Sequence, residues 1–214
     1  MSLGGDLGHL PDVIHALWYK VYMQCLRNDA DGVAVDAADL LRTSQQHGVE
    51  LFVMLADVAL GWARGRQGDA NSGANELRRS LAEYTSRGNR LFVPSLLALL
   101  AELESAAGEA ERALSTIDEG LAAAQESGQN YTDAFLYRLR GDLLLKLNPD
   151  GPEAASAAYK TAVDVSEHQG TRTYKLLASL SFAFLFGFIF RICVFFSFHY
   201  HCQVYTQQRR VEKR

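Results

Sequence analysis

The sequence predicts an all-α solenoid of about four 40-residue helical hairpins, followed by an apolar C-terminal helix, and three observations predict it. Five glycines, Gly8, Gly48, Gly88, Gly128 and Gly170, stand at spacings of 40, 40, 40 and 42 residues. The last four each close a helix-like segment: "AADLLRTSQQHG", "LRRSLAEYTSRG", "IDEGLAAAQESG" and "YKTAVDVSEHQG". Glycine ends helices well because it enters the left-handed conformation without a steric penalty. Between the ladder glycines lie "RNDADG", "GRQGDA", "SAAGEA" and "NPDGPE", turn-forming stretches that divide each unit into two helices. No sustained alternation of apolar and polar residues runs through the body, so strands are not expected.

In chain order, residues 1–8 form a lead-in and the hairpins occupy 9–48, 49–88, 89–128 and 129–170. "TRTYKLLASLS" has the pattern of the first helix of a fifth unit, within an apolar helix over 171–198, and 199–214 is a basic tail. A second register supports the division. Thirteen residues after each ladder glycine come Val21, Gly61, Ala101 and Gly141; further on lie Val33, Gly73, Ala113 and Ala155, then Leu40, Ser80, Gly120 and Ala162. Small side chains at these points let two antiparallel helices approach closely.

Helix–turn–helix units with small residues at these offsets resemble tetratricopeptide repeats lengthened to about 40 residues. Units two to four match; the first departs, with Val21, Val33 and Leu40 in place of small residues. The segments "GWARGRQGDANSGANELRRSLAEY", "FLYRLRGDLLLKLNPD" and "AAYKTAVDVSEHQGTRTYKLLASLS" carry a narrower likeness. They are similar to the C-terminal tetratricopeptide region of large bacterial signalling proteins that combine a class III adenylate/guanylate cyclase domain with a P-loop ATPase module. Over about residues 8–181 that resemblance implies a regulatory or interaction segment. No catalytic part carries over, since neither a G-x-x-x-x-G-K-[ST] loop nor a cyclase carboxylate pattern occurs in this chain.

Charge divides the chain in two. Residues 1–170 hold 14 Lys/Arg against 24 Asp/Glu, and residues 171–214 hold 7 against 1. The acidic body argues against nucleic acid as a partner, because phosphate contacts need clustered cations. The three cysteines, Cys25, Cys193 and Cys202, are too scattered for a disulfide framework, which points to a reducing, cytoplasmic setting.

No set of residues calls for catalysis, and neither a cofactor nor a metal is expected. "GWARGRQG" lacks the preceding strand and the Lys-Ser/Thr of a phosphate loop, so it reads as helix packing and a turn. Glu102, Glu104, Glu109 and Glu111 read as a solvated helix face, and His199, His201 and Cys202 lack a fourth ligand nearby. A binding role is better founded. Stacked hairpins form a superhelix whose first helices line a concave groove. Counting from the small residue of each first helix puts His15, Trp18 and Tyr22 on that face in unit one, and Val58, Trp62 and Arg66 in unit two. Ser95, Ala98, Glu102 and Ala106 follow in unit three, then Phe135, Arg138, Asp142 and Lys146 in unit four. Aromatic and charged side chains together suit a peptide or protein segment. The competing reading has Trp18, Trp62 and Phe135 packed between units.

"SFAFLFGFIFRICVFFSFHY" at 181–200 stands apart: eight of the eleven phenylalanines lie beyond residue 180. From Leu176 to Phe198 only Arg191 is charged, and Arg209, Arg210, Lys213 and Arg214 follow. A membrane helix needs about 20 apolar residues. A mid-span arginine costs roughly 2.5–3.5 kcal/mol, against about −0.3 to −0.6 for each Leu, Ile, Phe or Val, so the sum still favours insertion. Three readings stand open: a membrane anchor over 176–198, a helix that caps the array, or a gene end unrelated to the repeats.

Overall fold

The computed structural model describes residues 10–185, and every regular element among them is helical. Eight α-helices follow one another: α1 (Leu10–Leu26), α2 (Ala30–Gln46), α3 (Glu50–Arg66), α4 (Ala70–Ser86), α5 (Val93–Ala106), α6 (Ala110–Ser127), α7 (Asp133–Leu147) and α8 (Glu153–Gln169). Residues 172–185 are helical as well. Most of the apolar run from 186 onward, which carries the expected anchor or cap, lies outside the described residues. No helix among the described residues is long and apolar enough to cross a membrane.

The ladder glycines end the second helix of each hairpin as their spacing predicts. Gly48, Gly88, Gly128 and Gly170 have φ of +66°, +82°, +70° and +67°, a region in which a Cβ is strained. A parallel ladder ends the first helices: Asn28, Gly68 and Gly108 have φ of +58°, +136° and +88°. Each opens an "NDA", "GDA" or "GEA" triplet whose alanine begins the next helix. In two of these the acid caps that helix, Asp29 accepting from the Gly32 amide at 3.0 Å and Asp69 from the Ser72 amide at 2.9 Å.

Helices pack in sequence order: α1 against α2, α2 against α3, and so on to α8. The odd-numbered helices also touch one another, α1 with α3, α3 with α5 and α5 with α7. Glycines set the closest approach. A Cβ on Gly73 would lie 2.4 Å from the Gly65 Cα, and one on Gly141 would lie 2.5 Å from the Tyr159 ring. Trp18, Trp62, Tyr84 and Tyr159 are among the fully buried side chains between the helices.

One carboxylate departs from the sequence reading. Glu104, expected on a solvated face, is 1% exposed and lies between α4, α5 and α6. Arg78 Nη2 donates to its Oε1 at 2.7 Å and the Thr116 hydroxyl donates to its Oε2 at 2.7 Å. A buried carboxylate persists when paired and hydrogen-bonded in this way.

Beyond Gly170 the chain continues to pack on the array. Ala178 and Leu185 are buried, Leu185 joins Ala155 and Tyr159, and the Phe182 ring lies 6.4 Å from that of Tyr159. Residues up to 185 therefore dock on α8 as the first helix of a further unit would.

Candidate functional site

The aromatic and the charged residues singled out by the repeat register lie on or beside the odd-numbered helices, which contact one another in turn, and the two kinds are placed differently. The aromatics are interior. Trp18 and Trp62 are 1% and 0% exposed, Tyr22 6% and Phe135 5%. Trp18 stacks on Tyr22 with ring centroids 6.0 Å apart, and both meet Phe92. Phe135 stacks on Tyr174 at 6.0 Å. Of the two readings open for Trp18, Trp62 and Phe135, their burial fits packing between units, and Tyr22 packs with them, because an aromatic ring gains most where helices from adjacent hairpins exclude water from both faces. His15 is exposed, 4.8 Å from the Phe52 ring, and its Nδ1 lies 2.8 Å from the Pro11 carbonyl oxygen, so it serves the start of α1.

The charged residues form a row. Arg66 at the end of α3 is exposed and donates from Nε to Asn28 Oδ1 at 2.7 Å, tying the ends of α3 and α1 together. Glu102 on α5 is half-buried. Its carboxyl is held above the usual range, chiefly by burial, against the pull of Arg138, Arg66 and the Trp62 indole. Arg138 on α7 bridges to Asp142 at 2.8 Å and its guanidinium lies 5.2 Å from the Phe135 ring centroid. Asp142 also accepts from the Tyr159 hydroxyl at 2.7 Å, yet burial still holds its carboxyl above the usual range. Lys146, one turn further on, donates to the Ser105 carbonyl at 2.5 Å.

Arg66, Glu102, Ser105 and Asp142 line a single cavity of about 130 Å³ between α3, α5 and α7. The repeat register thus brings together one residue from each of three hairpins. One buried donor beside this row, Arg138 Nε, has no hydrogen-bond acceptor. The arrangement offers alternating charge, which suits recognition of polar groups. The Cys25 thiol, buried and pushed well above its ordinary value by burial and by the nearby Glu102, is a poor nucleophile at neutral pH. Among the described residues no group of three or more His, Cys, Asp and Glu is placed to hold a metal ion.

Tyr131, Tyr174 and Ser95 were not expected to meet Tyr22. Tyr131 donates or accepts at 3.3 Å with the Ser95 hydroxyl, and Tyr22 lies close to both Ser95 and Tyr174. The register names Ser95 but not the two tyrosines, because it counts within the first helices of four units, and Tyr131 precedes α7 while Tyr174 follows the fourth unit.

No family model matches the chain. An uncharacterized protein of Rhizobium meliloti (strain 1021) is 23% identical over 164 residues, which cover 77% of this chain and 16% of that protein. The chain therefore spans about a sixth of the length of the curated relative it matches.

Proposed function

We propose that this chain is a non-catalytic, tetratricopeptide-type interaction module of a bacterial signal-transduction system, and that it binds a protein or peptide segment along the face of its odd-numbered helices. The supporting observation is a charged row drawn from three hairpins: Arg66, Glu102 and Asp142 line one cavity, Arg138 pairs with Asp142, and Lys146 reaches Ser105 on the same cavity's wall. Contact of α1 with α3, α3 with α5 and α5 with α7 fits a superhelix whose first helices form the inner side. The signalling context comes from the resemblance to cyclase/ATPase proteins. The partner contacts fall to the charged residues, since Trp18, Tyr22, Trp62 and Phe135 are already occupied in packing.

Selection of a random peptide library on the full chain tests this reading. Selected peptides are expected to lose binding to Arg66→Glu and to Arg138→Glu, with helicity unchanged. Arg79→Glu, on an exposed position of α4, is expected to bind as the parent does. Equal loss with Arg79→Glu, or none with either groove variant, would move the site elsewhere. Arg66→Glu is the cleaner variant, because Arg138 also holds Asp142 and covers Phe135.

A second reading, a scaffold held to a membrane by residues 176–198, is favoured by one feature. Leu176, Leu180 and Phe184 are 60%, 47% and 77% exposed at four-residue spacing, leading into the apolar run. Recovery of the full chain with vesicles in a flotation experiment would support it; recovery in the soluble fraction alone would dismiss it.

A further inference from the structure

A second cavity, of about 310 Å³, lies where the first hairpin meets the start of the segment after Gly170. Its walls include Tyr22 and Leu26 from α1, Phe135 from α7, and Tyr174 from the following helix. Most of the surface it presents is apolar, and Phe135 and Tyr174 stack along one side. The volume is at the lower end of what small-molecule pockets occupy, about 300–1,000 Å³, and the mixture of an apolar wall with a few polar groups is the usual composition of such sites.

What distinguishes this cavity is its charge. Arg27 and Arg172 both line it, no acidic residue does, and neither guanidinium has a hydrogen-bond or ion-pair partner among the described residues. Most other arginines of the body differ: Arg42, Arg64, Arg78, Arg87, Arg112 and Arg140 each meet a carboxylate within 2.9 Å, while Arg79, also without a partner among the described residues, lines no such cavity. In a body with 24 acidic residues before Gly170, two unpaired arginines that share one apolar cavity form a local anion site. Tyr22, more than nine-tenths buried, also lines it; its hydroxyl approaches Ser95 and Tyr174 without completing a hydrogen bond.

We propose that this cavity binds a small apolar carboxylate, its hydrocarbon or aryl part against Tyr22, Leu26, Phe135 and Tyr174 and its carboxylate held by Arg27 and Arg172. Arginine suits the task because its planar fork pairs with a carboxylate through two parallel hydrogen bonds. The two arginines are 145 residues apart in sequence. A ligand between them ties the first hairpin to the segment after the fourth, so occupancy fixes the ends of the array relative to each other. This site is separate from the charged row on α3, α5 and α7 and does not depend on the peptide-binding reading.

Calorimetric titration of the full chain with 3-phenylpropionate and with octanoate, and with the primary amide of each, tests the proposal. At least one carboxylate is expected to bind saturably and to raise the unfolding temperature, while its amide binds far more weakly. Arg27→Met and Arg172→Met, both at exposed positions, are each expected to keep the parent helicity and to weaken binding by about tenfold or more, the effect of losing one charge-assisted hydrogen bond. Absence of saturable binding by either acid, equal binding of acid and amide, or undiminished binding by both variants would overturn it.

Discussion

At the residue scale, close approach and burial dominate. Gly73 and Gly65 bring α4 and α3 nearly into backbone contact, so Gly73→Ala must push two helices apart. We expect it to lower folding stability by about 1–3 kcal/mol, the range for overpacking, as read from urea unfolding. Glu104 supplies a different test. Arg78→Met leaves a 1%-exposed carboxylate with only the Thr116 hydroxyl, and breaking such a pair costs about 3 kcal/mol. Substituting Glu104 and Arg78 together is expected to cost less than Arg78→Met alone, because no charge is then stranded.

Glu102 gives the pH dependence. Its carboxyl is raised in the folded chain, so the folded state holds a proton that the unfolded state has released once pH exceeds the ordinary carboxylate range. Stability from this group is therefore present at low pH and falls as pH rises through the raised value. Glu102→Gln is expected to flatten that fall and to unfold at higher denaturant than the parent at neutral pH. A variant with the parent's pH profile would show that Glu102 is solvated in the folded chain.

Elements were legible where the chain repeats. The glycine ladder at Gly48, Gly88, Gly128 and Gly170 marks the ends of second helices because positive φ is a backbone requirement that few residues meet. The matching ladder of first-helix ends was harder to read, since one of its members is Asn28 and only Asp29 and Asp69 cap through the side chain. Glu109 stands at the same register position but makes no cap bond, reaching Arg112 instead. Asp29→Ala and Asp69→Ala are each expected to cost about 1 kcal/mol, the usual worth of an N-cap. Glu109→Ala, which removes no cap bond, should cost less than either by the same urea measurement.

The site was legible only in outline. Counting from small residues picked out Arg66, Glu102 and Asp142, which converge on one cavity. The same count could not say which residues on that face stay accessible. That depends on how tightly successive hairpins close, and here Phe92, with φ of +64° before α5, and Tyr174 after Gly170 cover the aromatics. Glu104 was misread for the same reason: its burial comes from α4 and α6 on either side, which a single helix pattern does not reveal.

At the scale of the whole molecule, the units are joined by contacts that recur about 40 residues apart. Gln129 Nε2 donates to the Arg90 carbonyl at 3.0 Å, joining the fourth unit to the third, and Gln169 Nε2 donates to the Asn130 carbonyl at 2.6 Å, closing the fourth unit on itself. Arg66 reaches Asn28, and Lys146 reaches Ser105, near the ends of successive odd-numbered helices. Neighbouring hairpins are thus tied by side-chain bonds as well as by helix packing, and nearest-neighbour contacts are what stabilise stacked repeats. The charged row along the odd-numbered helices is the surface on which the proposed function depends.

The most direct test is hydrogen exchange along the full chain, with and without a peptide chosen by the library selection. The account predicts added protection in α3, α5 and α7, centred on Arg66, Glu102 and Asp142, with α2, α4 and α6 little changed. Protection concentrated in the even-numbered helices, or spread evenly over the chain, would contradict it.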